Sequence, residues 1–256
     1  MTGALTAGLW GLLGGSALLL GAAVAWMARL PQRLIAAVMA VGSGVLISAV
    51  AFDLMDEAYR QGGFAASALG FVAGAAAYTA ANVALSRRGA RHRKRSGAVD
   101  HARQPGADEA GTGLAIAVGA LLDGIPESVV IGVSLLDGSG VSVATVAAVF
   151  LSNVPEGLSS AAGMKKAGRS AAYVFGLWSA IALASGIAAM VGNVALAGAA
   201  PATLAAVTAV AAGAILAMLV DTMIPEATAE THDYSGLIAV VGFLAAFVLT
   251  KSGGGG

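Results

Sequence analysis

Two stretches of the chain place a proline directly before a glutamate inside a long apolar run. The first reads Leu122-Asp123-Gly124-Ile125-Pro126-Glu127-Ser128, and the second reads Leu151-Ser152-Asn153-Val154-Pro155-Glu156-Gly157. A proline in a helix cannot donate a backbone hydrogen bond, so each one frees the carbonyl oxygen four residues earlier. Both predicted helices therefore offer side-chain and backbone oxygens near one depth.

A carboxylate inside a membrane-spanning helix is costly unless it faces the interior and has a partner. Asp123 and Glu127 are four residues apart and share one helix face, while Asn153 and Glu156 are three apart and share another. If these faces meet, they form an oxygen-rich site that suits a divalent cation. The alternative is a pair of proline kinks whose acids stay protonated and hydrogen-bonded. The repetition of the motif in adjacent helices favours the ion site.

The composition indicates a membrane protein. Of 256 residues, 58% are hydrophobic and only 11% are charged, which is typical of a polytopic membrane chain and not of a soluble domain. The chain has no cysteine, which excludes disulfides, thiolate zinc sites and cysteine nucleophiles. Residues 1–30 have no basic region before their apolar run, so we expect a first span and not a cleaved signal.

Apolar runs predict eight membrane spans, each close to or above the roughly 20 residues that a crossing helix needs. They lie at 4–28, 34–55, 63–86, 113–136, 140–163, 170–195, 202–225 and 235–251. We therefore expect an all-α polytopic membrane protein, with one transmembrane domain over residues 1–256 and a flexible tail at 252–256. The 36 glycines predict close helix packing through small side chains.

The basic residues indicate the orientation in the membrane. Only Arg60 and Lys251 fall on one side of the eight-span arrangement. The other twelve fall on the opposite side: Arg29, Arg33, Arg87, Arg88, Arg91, Arg93, Lys94, Arg95, Arg103, Lys165, Lys166 and Arg169. The positive-inside bias then predicts that both termini are outside and that the 87–112 loop is cytoplasmic.

The 87–112 loop is the one long polar segment. It contains His92 and His101, followed by Asp108 and Glu109. One hypothesis is a loop that collects metal or contacts lipid; the other is a disordered linker whose basic cluster sets the topology. We expect the linker, because two histidines nine residues apart among arginines make a poor metal site.

Residues 44–58 can be laid over residues 213–227, with a glycine, a glutamate and an alanine coinciding. Span two is predicted to run outward and span seven inward, which is the relation of inverted repeats around a central site. The expected fold is thus an inverted 3+2+3 arrangement with spans four and five central. Acids at the ends of these spans would approach the outer mouth (Asp53, Asp56, Glu57) and the inner mouth (Asp221, Glu226, Glu230, Asp233). Simple solvation explains Asp56, Glu57, Glu230 and Asp233 equally well, whereas Asp53 and Asp221 lie deeper.

Three motifs together resemble the ZIP family of divalent-metal transporters. They are Asp123-x-x-Pro-Glu127, Ser152-Asn153-x-Pro-Glu156-Gly157 and Asp221-Thr-Met-Ile-Pro225-Glu226-Ala227. Eight spans, external termini and a polar loop between spans three and four fit the same family. The stretch 213–250 is closest to its bacterial, GufA-like branch, which implies a bacterial plasma membrane location.

The resemblance implies metal ligation by Glu127, Asn153 and Glu156. Family members usually carry His-Asn where this chain has Asp123 and Gly124, and Gln-Asp or His-Asp where it has Ser152 and Asn153. A span-six glutamate that often bridges two metals corresponds to Ser185. We therefore expect one site of oxygen ligands. The candidate metal-binding residues are Glu127, Glu156, Asn153, Asp123, Ser152, Asp53, Asp221 and Glu226.

The function expected is inward transport of a divalent cation such as zinc, manganese or iron(II). Oxygen ligands without imidazole or thiolate favour manganese, iron(II) or magnesium over zinc. The metal ion is the expected substrate, and no organic cofactor is expected. The expected partners are the metal ion and the lipid bilayer, with no nucleic acid, and a homodimer is compatible with the sequence.

The same residues bear on two other functions. A degenerate homologue that binds metal or protons without turnover would explain the loss of the usual histidines and of the span-six acid. An intramembrane enzyme is not expected, because the spans contain no histidine, no cysteine and no base paired with a buried serine.

Overall fold

The structure is a computed structural model that describes residues 2–87, 93–94, 96, 104, 112–136 and 142–253. His92, His101, Asp108, Glu109 and residues 254–256 lie outside the described residues, as do Arg88, Arg91, Arg95 and Arg103. The described helices are α1 (Thr2–Met27), α2 (Gln32–Ala49), α3 (Met55–Leu85), α4 (Thr112–Val133), α5 (Val143–Lys166), α6 (Ala171–Ala195), α7 (Pro201–Met218), α8 (Ile224–Thr231) and α9 (Ser235–Gly253).

Three shorter helical elements join these helices. The π-helical turn π1 (Val50–Leu54) links α2 to α3, and a second one, π2 (Leu219–Met223), links α7 to α8. A 3-10 turn, His232–Tyr234, precedes α9.

Five helical stretches among the described residues are long and apolar enough to cross a membrane. They are Gly3–Met27, Gln32–Leu85, Ala115–Val133, Ala171–Ala195 and Pro201–Ser252. The prediction of an all-helical chain with membrane-crossing helices is confirmed for the described residues. The 24-residue helix α5 is not among these five, because Ser152, Asn153, Glu156 and its other polar residues reduce its hydropathy.

The break predicted between spans two and three is not a loop. The chain continues as helix from α2 through π1 into α3 and kinks at Gly63, which has φ 69° and ψ −176°. Glycine adopts this positive φ without a steric penalty. Before α9 the chain turns at His232, whose φ of 41° is uncommon for a residue other than glycine.

Two parts of the chain have the same order of elements. Helices α2 and α7 are each 18 residues long, begin beside Pro31 and Pro201, and lead into five-residue π-helical turns. Gly63 and His232 follow these turns at the same separation in sequence. Helices α1 and α6, which precede α2 and α7, have 26 and 25 residues.

The helix directions follow from close approaches at glycines. Helix α1 runs antiparallel to α6, since Gly8 lies beside Met190 and Gly15 beside Ala182. Gly157 of α5 packs against Leu18 of α1 so closely that a Cβ atom there would lie 2.2 Å from the Leu18 carbonyl oxygen.

The contacts of α5 with α1 and of α4 with α6 show that α4 and α5 run in opposite directions. Helix α5 is parallel to α1, and α4 is parallel to α6, because Gly124 lies beside Ser185 and Gly132 beside Ala189. Since α1 and α6 are antiparallel, so are α4 and α5.

Helix α4 lies between two apolar clusters. Val130 belongs to the cluster around Met39, Met218 and Leu219, which α2, α7 and π2 supply. Ile116 and Ala120 belong to the cluster around Leu18, Ile35, Met164 and Trp178. The acids of α4 are thus placed in the centre of the helical assembly.

Candidate cation site

Acidic side chains of α4 and α5 meet at a lysine from the segment between α3 and α4. The Nζ atom of Lys94 lies 3.3 Å from Oδ2 of Asp123 and 2.9 Å from Oε2 of Glu156. Asp123 is 2% exposed, and both Glu156 and Lys94 are 4% exposed. The antiparallel helices α4 and α5 therefore share one buried cation, the ammonium group of Lys94.

Arg93 neutralises the same carboxylate of Asp123. Its Nε donates to Oδ2 across 2.9 Å and its Nη2 to Oδ1 across 2.8 Å, a bidentate pair that is among the strongest side-chain interactions. Nη1 donates to Oδ1 of Asn82 across 2.9 Å, and Tyr78 donates its hydroxyl to Asp123 across 2.7 Å. A buried ion pair is tolerated when further hydrogen bonds satisfy its polar atoms, as they do here.

Glu127 lies one helical turn beyond Asp123 and is 2% exposed. Its Oε1 atom has no hydrogen-bond partner among the described residues. Its carboxyl group is close enough to Glu156, Lys94 and Asp123 for their charges to act on it. Two cations thus pair with Asp123 and Glu156, and Glu127 is the third acid of the cluster.

Polar groups of α5 and α8 hold the backbone that carries the two cations. Ser160 donates to the carbonyl oxygen of Arg93 across 2.7 Å, and Ser159 donates its hydroxyl to the carbonyl oxygen of Lys94 across 2.8 Å. The backbone N–H of Ser96 donates to Oε1 of Glu226 across 2.8 Å. Each of these groups is buried, so the hydrogen bonds replace the water that this backbone would otherwise contact.

A glycine of α4 makes room for Arg93. A Cβ atom at Gly119 would lie 2.5 Å from the Cδ atom of Arg93. Gly119 precedes Asp123 by one helical turn, so the aliphatic part of Arg93 crosses α4 where no side chain projects, and its guanidinium reaches Asp123.

The structure brings only some of the predicted ligands together. Asp123, Glu127 and Glu156 form the cluster. Glu226 contacts the inserted segment (Arg93, Lys94 and Ser96) directly, because it accepts from the backbone N–H of Ser96. Asp221 accepts from Asn82 of α3 across 3.2 Å, and Asn82 in turn accepts from Arg93.

Three other predicted ligands make different contacts. Asn153 donates to the carbonyl oxygen of Gly14 in α1 across 3.1 Å, and Ser152 donates to that of Val149 in its own helix across 2.9 Å. Asp53 in π1 interacts with Thr250 and Lys251 of α9.

Sequence reasoning missed Arg93 and Lys94 as residues of the site. The sequence predicts them to be topology-setting charges in a linker, yet both side chains are buried, as are Ser96 and Gln104. One signal was present: Asp123 and Glu127 place two acids one turn apart in an apolar helix, which requires either a positive charge nearby or a bound proton. A bound metal and a basic side chain both answer that requirement.

Among the described residues, no group of three or more histidine, aspartate and glutamate side chains is arranged to hold a metal ion. In this conformation the carboxylates turn toward Arg93 and Lys94. No family model and no curated protein sequence matches the chain.

Proposed function

We propose that the chain is a membrane transporter of the ZIP type that moves a divalent metal cation into the cytoplasm. The observation that carries this proposal is the pair of ion contacts at Lys94, where carboxylates from two antiparallel helices hold one positive charge between them. Carboxylate oxygens are suited to hard divalent cations, and these two carboxylates lie near the prolines inside α4 and α5. Ionisable groups at such positions mark ion pathways in membrane proteins.

The proposal includes eight membrane spans. The stretches Gln32–Leu85 and Pro201–Ser252 contain 54 and 52 residues, enough for two crossings each at roughly 20 residues per crossing. With α1, α4, α5 and α6 they make eight. The matched elements of α2 with π1 and of α7 with π2, and the antiparallel packing of α1 on α6, support an inverted 3+2+3 arrangement with α4 and α5 central.

Glu127, Glu156 and Asp123 are the proposed ligands of the transported ion. Carboxylates are hard ligands, so manganese, iron(II) and magnesium are favoured over zinc, although zinc binds oxygen sites as well. The proposed location is a bacterial plasma membrane with both termini outside, which places the 87–112 loop and the inner acids Asp221 and Glu226 on the cytoplasmic side.

Uptake by purified protein in liposomes tests the proposal. A panel of manganese, iron(II), zinc and magnesium ions should reveal at least one that the parent protein admits. Glu127→Ala and Glu156→Ala should abolish uptake, whereas Asp56→Ala, at a side chain that is 58% exposed, should not. No uptake of any ion, or uptake that both glutamate variants retain, would show that the proposal is wrong.

A second candidate function is a homologue that no longer transports. Arg93 and Lys94 favour it, because they neutralise Asp123 and Glu156 within the protein and leave no need for an external ion. A folded protein that neither binds nor admits any divalent cation would establish this candidate.

A further inference from the structure

We infer that the Arg93–Lys94 segment is a tethered substitute for the transported cation, which occupies the ion site when no ion is bound and must leave it when one arrives. This inference rests on the proposed function and adds its regulation. The segment and the ion would exclude one another because they use the same carboxylates.

The charges of the segment match those of a divalent ion. Arg93 and Lys94 together bring two positive charges to Asp123 and Glu156. Lys94 Nζ lies within ion-pair distance of both carboxylates, 3.3 Å from Oδ2 of Asp123 and 2.9 Å from Oε2 of Glu156. It thus acts as a point charge between two helices, as a metal ion would. Exchanging the segment for one divalent ion leaves the net charge of the buried site unchanged, which avoids the large cost of burying uncompensated acids.

The contacts of the segment form a built docking site and not a chance approach of two long side chains. The Arg93 and Lys94 carbonyl oxygens accept from Ser160 and Ser159, two consecutive residues of α5. The Nε2 atom of Gln104 donates to the Arg93 carbonyl across 2.9 Å and to that of Ser160 across 3.0 Å.

The end of the segment is held as well. Lys166, in the last turn of α5, donates to the backbone oxygen of Ser96 across 2.6 Å. Two serines, an amide and a lysine therefore hold backbone atoms, a mode of binding that does not depend on the charges of Arg93 and Lys94.

Tethering gives the segment an advantage over a free ion. A group joined to its site by a short chain acts at an effective concentration on the order of millimolar. If the segment occupies the site for about nine-tenths of the time, the apparent Kd for the ion is about ten times the intrinsic value. The site is then closed to weakly bound ions and opens to those that bind tightly.

The test uses the full chain with a cysteine in place of Ser96, which is 0% exposed. Since the chain has no native cysteine, Ser96→Cys provides the sole thiol. Its reaction with a small thiol reagent should be about tenfold slower than that of Tyr234→Cys, at a residue that is 71% exposed. Manganese(II) alone should accelerate labelling at position 96 and leave labelling at position 234 unchanged.

A second pair of variants releases the segment without changing any charge. Ser159→Ala with Ser160→Ala removes both hydroxyls that hold the backbone, so labelling of Ser96→Cys should speed up several-fold and the apparent Kd for manganese(II) should fall by up to about tenfold. The matched control is Ser43→Ala, because Ser43 is also buried but donates to Met39 of its own helix.

The outcomes separate this inference from the proposed function. If manganese(II) binds in a manner that requires Glu127 but leaves the labelling of Ser96→Cys unchanged, the inference is wrong and the proposed function stands. Labelling of Ser96→Cys as fast as that of Tyr234→Cys without any ion also overturns the inference. If neither the parent protein nor the double serine variant binds or admits a divalent ion, both the function and the inference fail.

Discussion

The hydroxyl of Tyr78 in α3 donates to Oδ1 of Asp123 in α4 across 2.7 Å, and both residues are 2% exposed. Tyr78 also accepts from Nη2 of Arg93 across 2.8 Å. A third helix thus supports the carboxylate that binds the inserted segment. The position of Asp123 is fixed from α3 as well as from its own helix.

The first prediction concerns this hydroxyl. Tyr78→Phe should lower the free energy of unfolding by about 2 kcal/mol, since a buried hydrogen bond to a charged group is lost while the ring is kept. Thermal unfolding of the purified protein measures the change. Tyr234→Phe, at an exposed ring, is the control, and equal stability of the two variants would contradict the proposed importance of the Tyr78 contact.

Glu127 and Glu156 should respond differently to the same substitution. Glu156→Gln removes the charge that pairs with Lys94, so we expect a loss of about 3 kcal/mol of stability. Glu127→Gln removes a charge whose Oε1 has no hydrogen-bond partner among the described residues, so its cost should be about 1 kcal/mol or less. Denaturant titration in detergent compares them, and a larger loss for Glu127→Gln would refute the described pairing.

Substitution of Asp123 should alter ion preference. Asp123→His supplies an imidazole, a softer ligand that suits zinc, and should raise zinc uptake relative to manganese uptake in liposomes. Asp123→Asn keeps the shape without the charge and should not produce that shift. An unchanged preference in Asp123→His would mean that Asp123 does not contact the transported ion.

The proposed topology places Arg87 and Tyr59 on opposite sides of the membrane. In intact cells, Arg87→Cys should resist an impermeant thiol reagent while Tyr59→Cys reacts, because both side chains lie on the surface of the protein. The absence of native cysteine makes the labelling specific. Reaction at position 87 but not at 59 would reverse the orientation.

Substitution by alanine should have opposite effects on stability at Gly157 of α5, which packs closely against α1, and at Gly176 of α6. Gly157→Ala would put a Cβ atom 2.2 Å from the Leu18 carbonyl oxygen and should cost about 1 to 3 kcal/mol. Gly176→Ala meets nothing within 4 Å, and the higher helix propensity of alanine should stabilise it by up to about 1 kcal/mol. Unfolding experiments on both variants decide whether this helix contact is as close as described.

The helices could be predicted from sequence because their signals are local. Long apolar runs fix where helices lie, and the bounds of α1, α4 and α6 agree with the predicted spans to within a few residues. The sequence predicts separate spans ending at residue 55 and beginning at residue 63, and it does not predict a continuous helix with a kink at Gly63. A glycine in an apolar run does not reveal its φ angle.

The site was only partly accessible to the same reasoning. The repeated Pro-Glu motif drew attention to Asp123, Glu127 and Glu156, and the structure places these three side chains near one another on α4 and α5. That they bind a metal ion stays a prediction. The role of Asn153 in ligation stays a prediction, since its Nδ2 atom donates to α1. Arg93 and Lys94 could not be found in this way, because insertion of a polar segment between helices is a tertiary event without a periodic pattern.

In the proposed transport cycle, the position of the inserted segment also determines where the membrane potential acts. When an ion enters from outside and Arg93 and Lys94 withdraw to the cytoplasm, two positive charges cross the outer part of the field and two cross the inner part. An inside-negative potential of 100 mV then assists that exchange by about 4.6 kcal/mol, at about 2.3 kcal/mol for each charge. In the return step the ion leaves inward as the segment re-enters, and these movements cancel. Voltage would therefore drive the loading of the site and have little effect on release.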